Sequence, residues 1–175
     1  MTAVPDRIEF AVAAMAPQPG SRILEIGCGN GTAVTLVRER IGPHGAILGV
    51  DRSATQIDRA RRRTLGDGVE LRVCEFPDCE FPGTACGGSF DLIFAIGVPA
   101  FRAADPSVPE SAATLLAPGG ELWVFDEPPP GVATGPTSMR ISTLLSSAGF
   151  AIVDIVERGR TVGVLAAPIV ACGTS

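Results

Sequence analysis

The chain has 175 residues, a net charge of −5 and a pI near 4.9. Hydrophobic residues make up 46% of it and the mean hydropathy is +0.32, which excludes an intrinsically disordered polymer and predicts one domain over residues 1–175. All 14 basic residues are Arg, and Lys and Tyr are both absent, which excludes Schiff-base catalysis, a Walker-type phosphate lysine and a Tyr/Lys dehydrogenase pair.

Residues Asp6 to Met15 carry Ile8, Val12 and Met15 on one stripe and predict a helix. Pro17, Pro19 and Gly20 then break the chain, so residues 1–19 read as an N-terminal helix and linker. Residues 23–26 read as a buried strand. Gly27, Gly29 and Gly31 follow at alternate positions, with Cys28 and Asn30 between them, and a helical pattern runs from Thr32 to about Arg40. Gly42-Pro43 stops it. The single histidine, His44, lies in that turn and reads as solvent-exposed. Residues 46–50 are a second strand ending at Asp51. Ser53 can cap a helix over 54–65, whose Arg59, Arg61, Arg62 and Arg63 read as a solvated face.

Residues 69–74 are a third strand, and 75–89 form a loop with room for one helical turn. Residues 90–96 are a fourth strand. An irregular stretch and a helix over 110–116 lead to the turn Pro118-Gly119-Gly120 and a fifth strand over 121–126. A helix over 137–148 ends at Gly149, where a left-handed residue is expected. Residues 150–157 and 161–167 read as strands joined by a hairpin at Arg158-Gly159-Arg160. Strands alternating with helices predict an α/β fold with a largely parallel sheet, and the terminal hairpin requires one antiparallel strand. The five cysteines contain no C-x-x-C pair, so neither a zinc site nor a disulfide framework is suggested, and no metal is expected.

Strand, glycine turn and helix make a nucleotide-binding crossover, where glycine permits tight backbone angles and close ligand approach. A dinucleotide fingerprint would place its third glycine at position 32, which is Thr here; the third glycine is Gly31. Glu25 stands two residues before Gly27. Its carboxylate would repel a pyrophosphate and would suit a cationic ligand such as S-adenosylmethionine (SAM), which carries an ammonium and a sulfonium. Asp51, 20 positions after Gly31, is placed to accept hydrogen bonds from a nucleoside ribose; a cap for the following helix is the plainer role.

With its acidic strand and G-x-G-x-G spacing, this stretch resembles the first motif of the class I SAM-dependent methyltransferases. Leu115-Leu116-Ala117-Pro118-Gly119-Gly120 resembles that family's turn before strand five. The resemblance implies an α/β seven-stranded, mostly parallel sheet of order 3-2-1-4-5-7-6, last hairpin antiparallel, with helices on both faces. It implies SAM as cofactor and S-adenosylhomocysteine (SAH) as product. It puts Glu25, Gly27, Cys28, Gly29, Asn30 and Gly31 at the first motif and Asp51 at the ribose. Arg52, Glu75 and Phe76 would then lie at the adenine, and Ala95, Ile96 and Gly97 at the ammonium. Cys28 reads as a small residue that fits, not a nucleophile.

The cofactor carries its own activated methyl, so few side chains are needed for catalysis. Asp126 and Glu127, after strand five, are the candidates for a base. Ile96-Gly97-Val98-Pro99 departs from the [DN]-P-P-[YF] signature of nitrogen methylation on adenine, cytosine or glutamine. The acceptor is therefore expected to be a small molecule. The acidic balance argues against nucleic acid, and the apolar runs are too short to span a membrane. The N-terminus lacks a signal-peptide pattern, so a cytoplasmic location is expected. A site open, or closed by a second copy in a homo-oligomer, suits the short N-terminal extension. The rival readings are a SAM-binding, non-catalytic partner protein and an NAD-dependent oxidoreductase.

Overall fold

The computed structural model describes residues 3–64, 66–81 and 90–169. Within them one seven-stranded sheet runs in the order β3-β2-β1-β4-β5-β7-β6. Its strands are β1 (Arg22–Ile26), β2 (Ala46–Asp51), β3 (Val69–Val73), β4 (Phe90–Ile96), β5 (Leu116–Asp126), β6 (Phe150–Arg158) and β7 (Thr161–Pro168). The first five strands are parallel; β7 is antiparallel to both β5 and β6. The α-helices are α1 (Asp6–Met15), α2 (Thr32–Ile41), α3 (Ala54–Arg63), α4 (Ser107–Leu115) and α5 (Gly135–Ser147). This is the α/β architecture and strand order expected from the sequence.

Side chains alternate across a strand, so each central strand supplies both cores. Leu24, Ile26, Val50, Ile93 and Leu122 face one way and pack with Ile141, Leu144 and Leu145 of α5 and Ala112 of α4. Ile23, Ile47, Phe94, Trp123 and Phe125 face the other way, against Val12 of α1, Val34 and Val37 of α2, and Ile57 of α3. Fully buried side chains of this size contribute about 1.5–3 kcal/mol each relative to exposure. Gly163 on β7 is required by this packing, because a Cβ there would meet the Phe125 ring at 2.3 Å.

Three local features differ from expectation. The Pro118-Gly119-Gly120 segment is not a turn outside the sheet but an irregularity inside β5: Phe90 pairs with Leu116, and Leu92 already pairs with Glu121. A bulge absorbs the extra residues, and a Cβ on Gly120 would meet the Phe90 carbonyl at 2.9 Å. The helix α4 starts earlier than predicted, at Ser107, whose N–H donates to Asp105 Oδ1 at 2.9 Å. Cys74 and Cys79 are joined as a disulfide, with their Cα atoms 5.5 Å apart, contrary to the reading of the cysteine spacing. The Asp78 N–H bonds the Glu75 carbonyl at 2.8 Å, and this turn folds Cys79 back onto Cys74. The remainder of the loop predicted over 75–89 lies outside the described residues from position 82 onward. Among the described residues, no helix is long and apolar enough to cross a membrane.

Candidate active site

The chain leaves β1 toward β2 on one side and leaves β4 toward β5 on the other. Such a reversal opens a crevice at the carboxyl ends of the strands, where ligands of open α/β sheets bind. The glycine loop forms one wall. Its Gly27 and Cys28 N–H groups both donate to the Val50 carbonyl, at 2.8 and 2.9 Å, which folds the loop over the end of β2. Gly27, Gly29 and Gly31 have φ of +72°, +53° and +76°, so the alternate glycine spacing is a run of left-handed backbone.

Their surroundings differ. A Cβ on Gly31 would come within 2.9 Å of Ala60 Cβ, so this glycine lets α2 start tightly against α3. A Cβ on Gly27 would meet Val98 at 2.6 Å. Among the described residues, a Cβ on Gly29 would meet nothing within 4 Å, and neither would one on Gly97, which lines the crevice. Those two positions leave open space beside backbone.

Asp51, at the end of β2, accepts from the Gly29 N–H through Oδ2 at 2.9 Å and from the Ser53 N–H through Oδ1 at 2.8 Å. It therefore couples the glycine loop to the start of α3, while Ser53 caps that helix through Gln56 N–H. Each carboxylate oxygen keeps a second lone pair for a ligand. Asn30 Oδ1 accepts from the Thr32 hydroxyl at 2.7 Å, outside the crevice.

The crevice contains a hollow of about 230 Å³. Of the residues predicted for the site, Gly27, Asp51, Arg52 and Glu75 line it, and so do Phe76, Ile96 and Gly97. Arg52 and Glu75 form an exposed ion pair at 3.4 Å, of small energetic weight. Glu25, Cys28 and Ala95 lie buried beneath the surface; Gly29 is half-buried, Asn30 exposed and Gly31 buried, and none of these three lines the hollow. Cys74, Val98, Pro99 and Ala100 also line the hollow and were missed. The stretch from Pro99 was read as irregular chain; it begins with a 3₁₀ turn, Pro99–Arg102, whose Pro99 and Ala100 line the hollow.

Two buried groups have shifted protonation. Glu25 is 3% exposed, and among the described residues its Oε2 has no hydrogen-bond partner. Burial, and then the nearby Asp51 charge, push its carboxyl well above the usual range. Burial and the charges of Glu25 and Asp51 likewise push the Cys28 thiol up, so it stays protonated and is a poor nucleophile.

Asp126 ends β5 with 5% exposure. Arg102 grips it from the 3₁₀ turn, Nε to Oδ2 at 2.9 Å and Nη2 to Oδ1 at 2.6 Å. Arg140 of α5 reaches Oδ2 at 3.0 Å through one nitrogen and the Phe101 carbonyl at 2.8 Å through another. Burial pushes the Asp126 carboxyl up, but the bond from Arg102, the Glu127 N–H and the two guanidinium charges outweigh it and hold it below the usual range. Such a carboxylate is fitted to hold two arginines and not to take up a proton. Glu127 Oε1 accepts from the Thr161 hydroxyl at 2.8 Å. Arg102 and Arg140 were not anticipated. An Arg in a loop and an Arg on a helix carry no signal in sequence that they meet.

The chain matches the family model described as a methyltransferase domain over residues 17–135. It is 32% identical over 159 residues to a protein-L-isoaspartate O-methyltransferase of Methylorubrum populi, covering 89% of this chain and 68% of that protein. It is 33% identical over 118 residues to nocamycin O-methyltransferase of Saccharothrix syringae, covering 65% of this chain and 40% of that one. It thus spans well under two thirds of that relative's length. In structure it is similar to a SAM-dependent methyltransferase from Aquifex aeolicus, with a TM-score of 0.76 at 19% identity, covering 91% of this chain and 88% of that one. The strand order, the glycine crossover and these matches agree: the chain belongs to the methyltransferase domain family and has its class I, SAM-dependent architecture.

Proposed function

We propose that this chain binds SAM in the crevice over β1, β2 and β4 and transfers its methyl group to a small-molecule acceptor. The observation that carries the reading is the hollow at the crossover crevice, lined by Gly27, Asp51, Glu75, Phe76 and Gly97, with Asp51 also holding the glycine loop through the Gly29 N–H. The donor set fits the cofactor. Asp51 has a lone pair on each oxygen for the two ribose hydroxyls, and Glu75 and Phe76, which line the same hollow, would take the adenine edge and face. The buried Glu25 oxygen without a partner favours a cation above it, because a positive charge would stabilise its ionised form.

When bound, SAM supplies a methyl on a sulfonium, which leaves by in-line displacement. The chain supplies position: Gly27 of the glycine loop and Pro99 and Ala100 of the 3₁₀ turn flank the crevice in which methyl and acceptor would be aligned. No base is assigned. Its arginines hold the Asp126 carboxyl below the usual range, which makes it a weak base, so the acceptor atom would arrive already nucleophilic or lose its proton to water. A small-molecule acceptor is supported by relatives named for such substrates, nocamycin O-methyltransferase and aklanonic acid methyltransferase. The family match sets the NAD-dependent alternative aside.

Calorimetry tests the reading. SAM and SAH are expected to bind in the micromolar range and NAD not measurably, and labelled SAM should pass its methyl to a carbon-, oxygen- or nitrogen-nucleophile in an acceptor screen. Tight NAD binding without SAM binding would sink it.

A further inference from the structure

We infer that the methyl acceptor is a small molecule with an anionic end, a carboxylate or a phosphate, and that this end sits in the arginine-lined hollow beyond Gly97. The inference rests on the methyl-transfer reading and names the substrate class for the same site. Three hollows follow one another along the carboxyl edge of the sheet. The first, with Asp51, shares Ile96 and Gly97 with a second of about 180 Å³. The second shares Arg102, Asp126 and Glu127 with a third of about 460 Å³. A molecule reaching from Gly97 outward therefore passes directly between these side chains.

The charge along this path is not balanced. Among the described residues, Arg7 lines the second hollow, Arg102 both, and Arg140 and Arg160 the third, against the carboxylates of Asp126 and Glu127. Four guanidiniums face two carboxylates in a chain whose net charge is −5. Among the described residues, neither Arg7 nor Arg160 pairs with a carboxylate. Arg160 donates instead to the Pro128 carbonyl.

Asp126 organises the cluster without consuming it. A guanidinium has five N–H donors, and the bonds from Arg102 engage two of its own, Nε and one Nη2 hydrogen. Arg140 likewise engages two, one on Asp126 and one on the Phe101 carbonyl. The rest are available, and the two side chains remain 50% and 36% exposed beside an Asp126 side chain that is 6% exposed. A buried carboxylate that fixes two planar forks, one from a 3₁₀ turn and one from α5, pre-orders them for a second oxyanion. Pro128 and Pro129 on the same wall offer apolar contact for the carbon body next to it.

Titration of the whole chain with benzoate, its neutral counterpart benzamide and inorganic phosphate, with and without SAH, tests this. Benzoate or phosphate is expected to bind and benzamide not; Arg140→Gln and Arg160→Gln are each expected to weaken the anion by about tenfold, leaving SAH affinity unchanged. Preference for benzoate assigns a carboxylate end, and preference for phosphate a phosphate end. If Arg140→Gln fails to fold, Arg160→Gln decides the matter, since Arg160 is exposed on the β6–β7 hairpin. The inference is overturned if neither anion binds a chain that binds SAH, or if both variants bind the anion as the unmodified chain does. Loss of SAH binding by the unmodified chain would overturn the methyl-transfer reading instead.

Discussion

The two ends of the crevice are built from different materials. The glycine-loop end is backbone: three left-handed glycines, two N–H groups on one carbonyl, and a single carboxylate, Asp51, tying the loop to α3. The Asp126 end is side chain: one buried carboxylate and arginines from separate elements. Backbone geometry tolerates few residue types and suits a ligand that does not change. A side-chain cluster can be rebuilt one substitution at a time, which suits an acceptor pocket. The comparison can be broken or sharpened by four experiments.

The largest effect is expected within the loop itself. Gly31→Val adds a Cβ at 2.9 Å from Ala60 Cβ and 3.1 Å from its Cα, on backbone with φ +76°. Overpacking and left-handed strain together should cost roughly 2–5 kcal/mol, read as a fall in denaturation midpoint. Gly29→Ala meets no described atom within 4 Å, so it should carry only the left-handed strain of φ +53°, about 1–2 kcal/mol, while weakening SAM binding. Equal stability losses in the two variants would show that packing against α3 carries no weight at Gly31, and unchanged SAM binding by Gly29→Ala would show that this position does not face the ligand.

Asp126→Asn should come next. It leaves two guanidiniums without their charged acceptor, for about 2–3 kcal/mol of lost stability. The pH dependence identifies the cause. The folded carboxyl titrates below its unfolded value of about 3.9. Its contribution is therefore complete above about pH 4 and is lost as pH falls through the folded value. The Asn variant should show a smaller drop in melting temperature on acidification; an unchanged acid profile would assign the loss to other carboxylates.

Asp51→Ala should lower SAM affinity by about tenfold to over a hundredfold, the range for a lost charged hydrogen bond. A ribose contact alone would leave the ligand-free protein as stable as before. Because Asp51 also accepts from the Gly29 and Ser53 N–H groups, the melting temperature should fall too. A drop in affinity with no change in stability would show these two bonds to be of no weight.

The smallest shift is expected at Glu25, and in the opposite direction. Its folded pKa is raised, so burying it costs stability once pH rises above its unfolded value near 4.3. Glu25→Gln should therefore raise the melting temperature of the ligand-free chain at pH 8 more than at pH 4, while weakening SAM. A variant less stable at pH 8 would place a compensating cation beside Glu25 already.

Much of the cofactor end was legible in the sequence because its signals are local. Alternate glycines predicted a tight turn, and the strand and helix either side followed from the residue pattern; α1 and β4 were bounded as found. Asp51 could be positioned at the end of strand two, and Glu75 and Phe76 through the family resemblance, and all three line the hollow. The spacing of the cysteines did not disclose Cys74–Cys79, since it takes the turn at Asp78 to bring them together. Nor did the Pro-Gly-Gly segment disclose a bulge, because the pairing that creates it belongs to β4.

The sequence by itself determined the order of strands and helices, the terminal hairpin and the glycine turn, all set by residues within a few positions of one another. The tertiary structure alone decided that Arg102 and Arg140, separated from Asp126 by 24 and 14 positions, converge on it. It also decided that Glu25 is buried with one oxygen unanswered. Convergence and burial depend on how a sheet stacks its helices and where its crossovers reverse, and no local run of residues encodes the distance between two side chains on different elements.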